Sequence, residues 1–147
     1  MSGLSEDSFV SGGLDHVGLT VPDLGRSLTF FTDCLGWEKI GERPDYPAAF
    51  VSDGTVKITL WQVADKNSSV NFNRRQNVGL HHLALKTRSE ADFAQLFARV
   101  SAWPGTGVEF APQISGAGPK MHFMIYEPGG CRIEFTFDPR GVRGSAG

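Results

Sequence analysis

Two stretches of this chain begin in the same way. Leu14-Asp15-His16-Val17-Gly18-Leu19 and Leu80-His81-His82-Leu83-Ala84-Leu85 are each an apolar strand with a histidine at the same place. Each is followed by a helix start, a helix and further strands. A repeated element order constrains the fold strongly, because each copy is one supersecondary unit with an uncovered face that must be buried. A pseudo-twofold relation between the copies would also bring equivalent positions together, so His16 and His82 become candidates for one site. The second copy ends in Ile133-Glu134-Phe135, an acid inside an apolar strand.

The local signals divide the chain in detail. Residues 1–13 are rich in Ser and Gly, with neither a basic start nor an apolar signal core, and read as a flexible tail. The first module spans 14–63. Its strand from Leu14 to Val21 ends at Pro22, and Asp23 is a good N-cap. A helix through Leu24, Leu28, Phe31 and Leu35 is then stopped by Gly36. Strands follow near Glu38–Glu42, Ala49–Ser52 and Val56–Val63, the last two joined by a tight Asp53-Gly54 turn. Residues 64–79 are polar and aperiodic, a linker. The second module, 80–138, repeats the order. It has a strand from Leu80 to Thr87, a Ser89-capped helix broken at Trp103-Pro104-Gly105, and a strand near Val108–Phe110. A loop from Gln113 to Pro119 leads to the strands Met121–Tyr126 and Cys131–Phe137. Residues 139–147 read as a second flexible tail. The expected fold class is α+β: two β-α-β-β-β modules forming a curled mixed sheet around a cup.

Strand alternation then sorts the candidates. Val17, Leu19 and Val21 would face the helices, leaving His16 toward the cup. Leu83 and Leu85 place His82 toward the cup and His81 on the helix side, as a structural histidine. Ile133, Phe135 and Phe137 leave Arg132, Glu134 and Thr136 in the cup. A carboxylate within a sheet costs several kcal/mol of desolvation unless it is paired. A divalent cation offsets that cost and takes neutral imidazoles as further ligands. Two His and one carboxylate with open positions suit Fe(II), and also hold Mn, Ni, Co or Zn. The simpler alternative is a buried His–Glu hydrogen bond with one unrelated histidine. Symmetry places Thr59 where a fourth ligand would sit, and a neutral Thr there leaves room for water or substrate.

Other residues share these faces. His122, Met124 and Tyr126 alternate on one strand; His122 and Tyr126 could act as acid/base or substrate-binding groups. Lys57 and Trp61 lie on the Thr59 face, suited to an anion and a planar group. Arg74-Arg75 in the linker reads as a solvated charge pair, with the binding of an anionic tail as the alternative.

Composition excludes several function classes. The formal net charge is −2, and the chain has no basic block or zinc-finger spacing, so nucleic acid is not an expected partner. No apolar run reaches membrane-spanning length. Cys34 and Cys131 are the only cysteines and have no Cys-x-x-Cys spacing, which fits reduced thiols and a cytoplasmic location. Eleven Phe help a domain of this size build a core.

The motifs His16-Val-Gly-Leu-Thr-Val-Pro-Asp-Leu24 with Ser27, Phe30-Phe31 and Leu35-Gly36, His82-Leu-Ala-Leu85, and Glu127-Pro-x-Gly130-x-x-x-Glu134 resemble the vicinal-oxygen-chelate superfamily. This family contains glyoxalase I, extradiol dioxygenases, fosfomycin-resistance transferases, methylmalonyl-CoA epimerase and bleomycin-binding proteins. The resemblance covers about residues 14–137. It implies metal ligation by His16, His82 and Glu134, and a small-molecule substrate that chelates the ion through vicinal oxygens. It also implies a homodimer, often with a shared site. The glyoxalase and epimerase branches carry Glu or Gln where Thr59 stands. The extradiol signature Tyr would fall near Met124 and its second-sphere His near Gly116. The implied activity is a glyoxalase-like lyase or isomerase, with His122, Tyr126 and Thr59 as catalytic candidates. Lys57, Trp61, Arg132 and Met124 are the substrate-binding candidates. The alternatives are an extradiol-type dioxygenase or other metal-dependent transferase, and a metal-free protein that sequesters a small molecule.

Overall fold

In this computed structural model, which describes residues 8–141, the order β-α-β-β-β occurs twice. The two flexible tails expected at the ends fall partly on 1–7 and 142–147, outside the described residues. The first unit is β1 (Val17–Val21), α1 (Leu24–Thr29), β2 (Glu38–Arg43), β3 (Ala48–Ser52) and β4 (Lys57–Gln62). The second is β5 (Leu83–Lys86), α2 (Glu90–Ser101), β6 (Gly107–Ile114), β7 (Met121–Tyr126) and β8 (Arg132–Phe137). Each unit forms its own four-stranded mixed sheet, ordered β1-β4-β3-β2 and β5-β8-β7-β6. In each, the first strand runs parallel to the last and the other neighbours are antiparallel.

The helices begin where their caps dictate. Asp23 Oδ1 accepts the Arg26 amide at 3.2 Å, and Ser89 Oγ accepts the Asp92 amide at 3.0 Å. The first helix is not α-helical to Leu35 as expected. Thr29 and Thr32 turn their hydroxyls back onto the carbonyls of Gly25 and Leu28. From Phe30 to Cys34 the helix widens into a π turn, where the Leu35 amide reaches the Phe30 carbonyl at 3.0 Å. Gly36, at φ +77°, then ends it. The Asp53-Gly54 turn is also wider than a two-residue hairpin. Asp53 Oδ1 takes the amides of Thr55 and Val56, so β4 starts only at Lys57. β6 runs on to Ile114 and absorbs Gln113, because register shifts around Phe110 let the strand pass Pro112 and still pair with β7.

Alternation holds in the strands that matter most. Leu19 and Val21, Leu83 and Leu85, and Ile133 and Phe135 are buried, as the pattern requires. These residues join Phe30, Phe31, Ile58, Leu60, Phe93, Val100 and Phe123 in one continuous core drawn from both units. The helix-covered sides therefore meet each other. Two polar contacts reinforce the junction. Ser27 of α1 donates to the buried Glu127 carboxylate at 2.9 Å, and Arg99 of α2 donates to the Cys34 carbonyl at 3.2 Å. Gly129 sits in this junction, where a Cβ would lie 2.5 Å from Ser27 Oγ. The two sheets stay separate and are not closed on each other. Among the described residues, no helix is long and apolar enough to cross a membrane.

Candidate metal and substrate site

The uncovered face of the second sheet gathers the polar side chains that alternation placed there. β5 pairs with β8 so that Ala84 lies opposite Glu134, and β7 pairs with β8 so that Met124 lies opposite Glu134. Glu134 consequently sits between two imidazoles. His122 Nδ1 is 2.5 Å from Oε2, and His82 Nε2 is 3.2 Å from Oε1. Phe110 packs on the His122 ring at 4.8 Å. A neutral His122 donating from Nδ1 keeps its lone pair on Nε2, the form that accepts a proton.

The neighbours of His82 constrain which of its ring nitrogens can donate. Arg132 Nη1 lies 3.3 Å from His81 Nδ1, and a guanidinium can only donate. His81 Nδ1 is therefore an acceptor. His82 Nδ1 faces the same atom at 2.8 Å and must donate to it. A neutral His82 then carries its lone pair on Nε2, directed at a carboxylate oxygen. In that neutral form two lone pairs face each other across 3.2 Å. A cation at that point, or a second proton on His82, removes the conflict. His81 itself is held below the ordinary histidine range by desolvation and then by the Arg132 charge. Its expected place on the helix side is corrected: β5 begins only at Leu83, so strand alternation does not govern residue 81, and its ring joins His82 and Arg132 instead.

His16 is placed elsewhere. Its Nδ1 contacts Asp15 Oδ2 at 2.6 Å, and its side chain is 45% exposed. That pairing, followed by the charge of Lys57, holds the Asp15 carboxyl below its usual range. With Nδ1 committed to Asp15, the His16 lone pair lies on Nε2, the usual arrangement of a metal-ligating histidine. Among the described residues, no hydrogen bond or ion pair joins His16 to His82 or Glu134, and no three His, Cys, Asp or Glu side chains form a metal-holding group. His82 and Glu134 thus fit a divalent ion by donor type and proximity, but they supply only part of a coordination sphere.

The equivalence of Thr59 and Glu134 is visible in the register: Thr59 pairs with Gly18 as Glu134 pairs with Ala84. Thr59 is buried, and its hydroxyl accepts Trp61 Nε1 at 2.9 Å. Trp61 in turn takes the edge of Tyr46 at 4.9 Å. Gly18 leaves room for this arrangement, since a Cβ there would lie 3.1 Å from Thr59 Oγ1. Lys57, Thr59 and Trp61 therefore belong to the first sheet, apart from the Glu134 cluster. Met124 is buried beside Glu134 on the neighbouring strand, while Tyr126 and Arg132 continue the face of the second sheet.

Sequence reasoning passed over Glu109. It accepts Arg132 through both oxygens at 2.7 Å and the Tyr126 hydroxyl at 2.8 Å, with Arg74 3.7 Å away. The signal that exposes Glu134 also marks Glu109, an acid between Val108 and Phe110. The Arg132 hydrogen bonds, foremost, and those of Tyr126 hold the Glu109 carboxyl down to about 2, against the desolvation that raises it. A depressed native value makes the ionised group stabilising above its unfolded value of 4.5, and that contribution disappears as pH falls toward 2. In urea melts, the stability gap between wild type and Glu109→Gln should narrow across this window. A gap that stays constant from neutral pH to pH 2 contradicts the assignment.

Comparison with known proteins agrees with this architecture. The sequence profile of the Glyoxalase/Bleomycin resistance protein/Dioxygenase superfamily matches residues 13–135. No curated protein matches. Among solved structures, a glyoxylase/bleomycin resistance protein/dioxygenase domain from Frankia sp. EAN1pec superposes with a TM-score of 0.74 at 24% identity, covering 87% of this chain and 98% of that one. Lactoylglutathione lyase from Agrobacterium tumefaciens gives 0.65 at 20% identity, covering 88% and 96%. The fosfomycin resistance protein FosX from Listeria monocytogenes gives 0.67 at 19% identity, covering 87% and 94%. At these identities the structures establish a shared fold, and the profile match over most of the chain establishes the family: this protein belongs to the glyoxalase/bleomycin resistance/dioxygenase superfamily.

Proposed function

We propose that this chain is a divalent-metal-dependent enzyme, a glyoxalase-like lyase or isomerase. Its substrate is a small molecule that presents two adjacent oxygens, and its metal site is completed between two copies of the chain. The observation that supports the reading is the convergence of His82 Nε2 and Glu134 Oε1, 3.2 Å apart on the uncovered face, an imidazole nitrogen and a carboxylate oxygen close enough to serve one cation together. His82 and Glu134 would hold the ion from one copy, and His16, oriented by Asp15, from the other. Fe, Mn, Ni, Co and Zn all accept this donor set. Exposed apolar side chains flank both histidines along the chain, namely Leu14 before His16 and Val78 and Leu80 before His82. A second copy would cover such a surface.

When bound, the ion supplies Lewis-acid stabilisation of charge developing on the chelating oxygens. The chain supplies the rest. His122 fixes the Glu134 carboxylate by its Nδ1–H and offers Nε2 as a proton acceptor. Tyr126, anchored on Glu109, and Arg132 form the polar wall beyond the metal ligands. Thr59 leaves the fourth position without a carboxylate, which separates this site from one that uses a Glu there to move the proton and assigns that task to His122. The same donor set also serves an extradiol-type dioxygenase, but Met124 occupies the place of that branch's tyrosine.

The test is metal analysis of protein purified without chelator. The expected result is an equimolar transition metal that His16→Ala loses. Protein that takes up no metal at any pH overturns the proposal and leaves the metal-free sequestration reading.

A further inference from the structure

A cavity of about 480 Å³ opens beside the Glu134 cluster, between the linker and the outer end of β7 and β8. Its volume is that of a small-molecule site. Asn71, Phe72, Asn73, Arg74, Tyr126 and Arg132 line it, and among the described residues no acid does.

The linker is built to hold Arg74 there. The amides of Gln76 and Asn77 close onto the Asn73 carbonyl, and Asn73 Oδ1 accepts the Arg75 amide at 2.9 Å. Phe72 packs against Gly79, where a Cβ would lie 3.0 Å from the ring. Arg74 Nη1 then donates to the Tyr126 hydroxyl at 2.8 Å.

The hydrogen-bond inventory separates the two arginines. Arg132 is engaged through each of its three nitrogens, with Nε and Nη2 on Glu109 and Nη1 on His81. Arg74 has one hydrogen bond, and among the described residues no acceptor takes its Nε or Nη2. Two guanidinium charges face one carboxylate, so a positive charge is left over at the cavity wall. A planar fork with unused donors, fixed by a neighbouring hydroxyl, is suited to a carboxylate or phosphate.

We propose that this cavity is an anion subsite, in which Arg74 binds a carboxylate or phosphate group of the substrate while Arg132 and Tyr126 position it through Glu109. The assignment rests on the reading of the adjoining site as the place of chemistry. The substrate would carry its acidic group at one end and its metal-binding oxygens at the other. Arg74 then serves affinity and orientation, and takes no proton.

Calorimetric titration of the full-length protein with inorganic phosphate and with benzoate tests this directly. Wild type should bind at least one of them, with an affinity that falls as salt rises. Arg74→Gln should weaken that binding by about tenfold or more, and Arg75→Gln, one residue along the same linker, should leave it unchanged. Which probe binds better tells a carboxylate site from a phosphate site. Glu134→Gln separates this proposal from the metal reading: binding that survives Glu134→Gln and needs Arg74 supports the subsite even if the protein holds no metal. Absence of binding to wild type overturns the subsite. So does equal affinity in Arg74→Gln, or binding that Glu134→Gln abolishes while Arg74→Gln retains it.

Discussion

Mixing His16→Ala protein with His82→Ala protein should restore metal binding that neither variant shows alone. The expectation comes from where the three candidate ligands lie. His82 and Glu134 share the uncovered face of the second sheet, whereas His16 is committed to Asp15 beside the first. One core joins the helix-covered faces of both sheets, so a single chain does not bring His16 to the other two. In a twofold dimer with shared sites, one of the two sites in each mixed dimer takes His16 from the His82→Ala copy and His82 with Glu134 from the His16→Ala copy. That site is complete; the other lacks both histidines. Full subunit exchange at equal amounts should therefore refill about one site in four. Metal content per protomer after gel filtration measures it. If all three ligands serve one chain, mixing restores nothing, and the shared-site geometry is wrong.

Phe123→Ala should be the most damaging substitution away from the site, costing about 3–5 kcal/mol. Phe123 is fully buried on β7. Its ring lies 5.2 Å from Phe93 and 5.0 Å from Phe97, both on α2, and 5.1 Å from Phe135 on β8. Removing it takes away the transfer free energy of a phenyl group and leaves a cavity whose walls are themselves aromatic and poorly able to collapse. Total stability for a domain of this size is about 5–15 kcal/mol, so the loss is a large share. Urea denaturation should show a lower midpoint at unchanged slope. Phe9→Ala, at a ring that is 56% exposed, serves as control and should stay within about 0.5 kcal/mol of wild type. A Phe123→Ala loss as small as the control would refute the packing account. Because His122 and Met124 flank Phe123 on the same strand, the variant should also loosen the Glu134 cluster.

The placement of the second sheet's candidate residues was legible because strands enforce a period of two. Once Ile133 and Phe135 are read as core, Glu134 must lie on the other face, and the structure puts it there against His82 and His122. The register that makes Thr59 the counterpart of Glu134 follows from the same repeat. The reading weakened where the chain leaves regular strands. His81 precedes β5, so alternation does not reach it, and a histidine expected among apolar side chains instead bridges Arg132 and His82. Arg74 lies in an aperiodic linker, where no local pattern shows that the segment folds back onto Tyr126. Glu109 carried the right signal, but its meaning depends on Arg132, a residue on a different strand.

The division between the two levels has a physical basis. Alternation, capping and turn chemistry act over a few residues, so element order, the buried faces and the candidate ligands could be read from the amino acids in line. Which faces meet is decided by the packing of whole modules, and here the helix-covered sides won because they bury Phe30, Phe31, Phe93 and Phe123 together. That choice separates His16 from Glu134 within one chain, and it also lets the linker bring Arg74 to the second sheet. No local property of these residues encodes either outcome, because both depend on contacts between segments far apart in sequence.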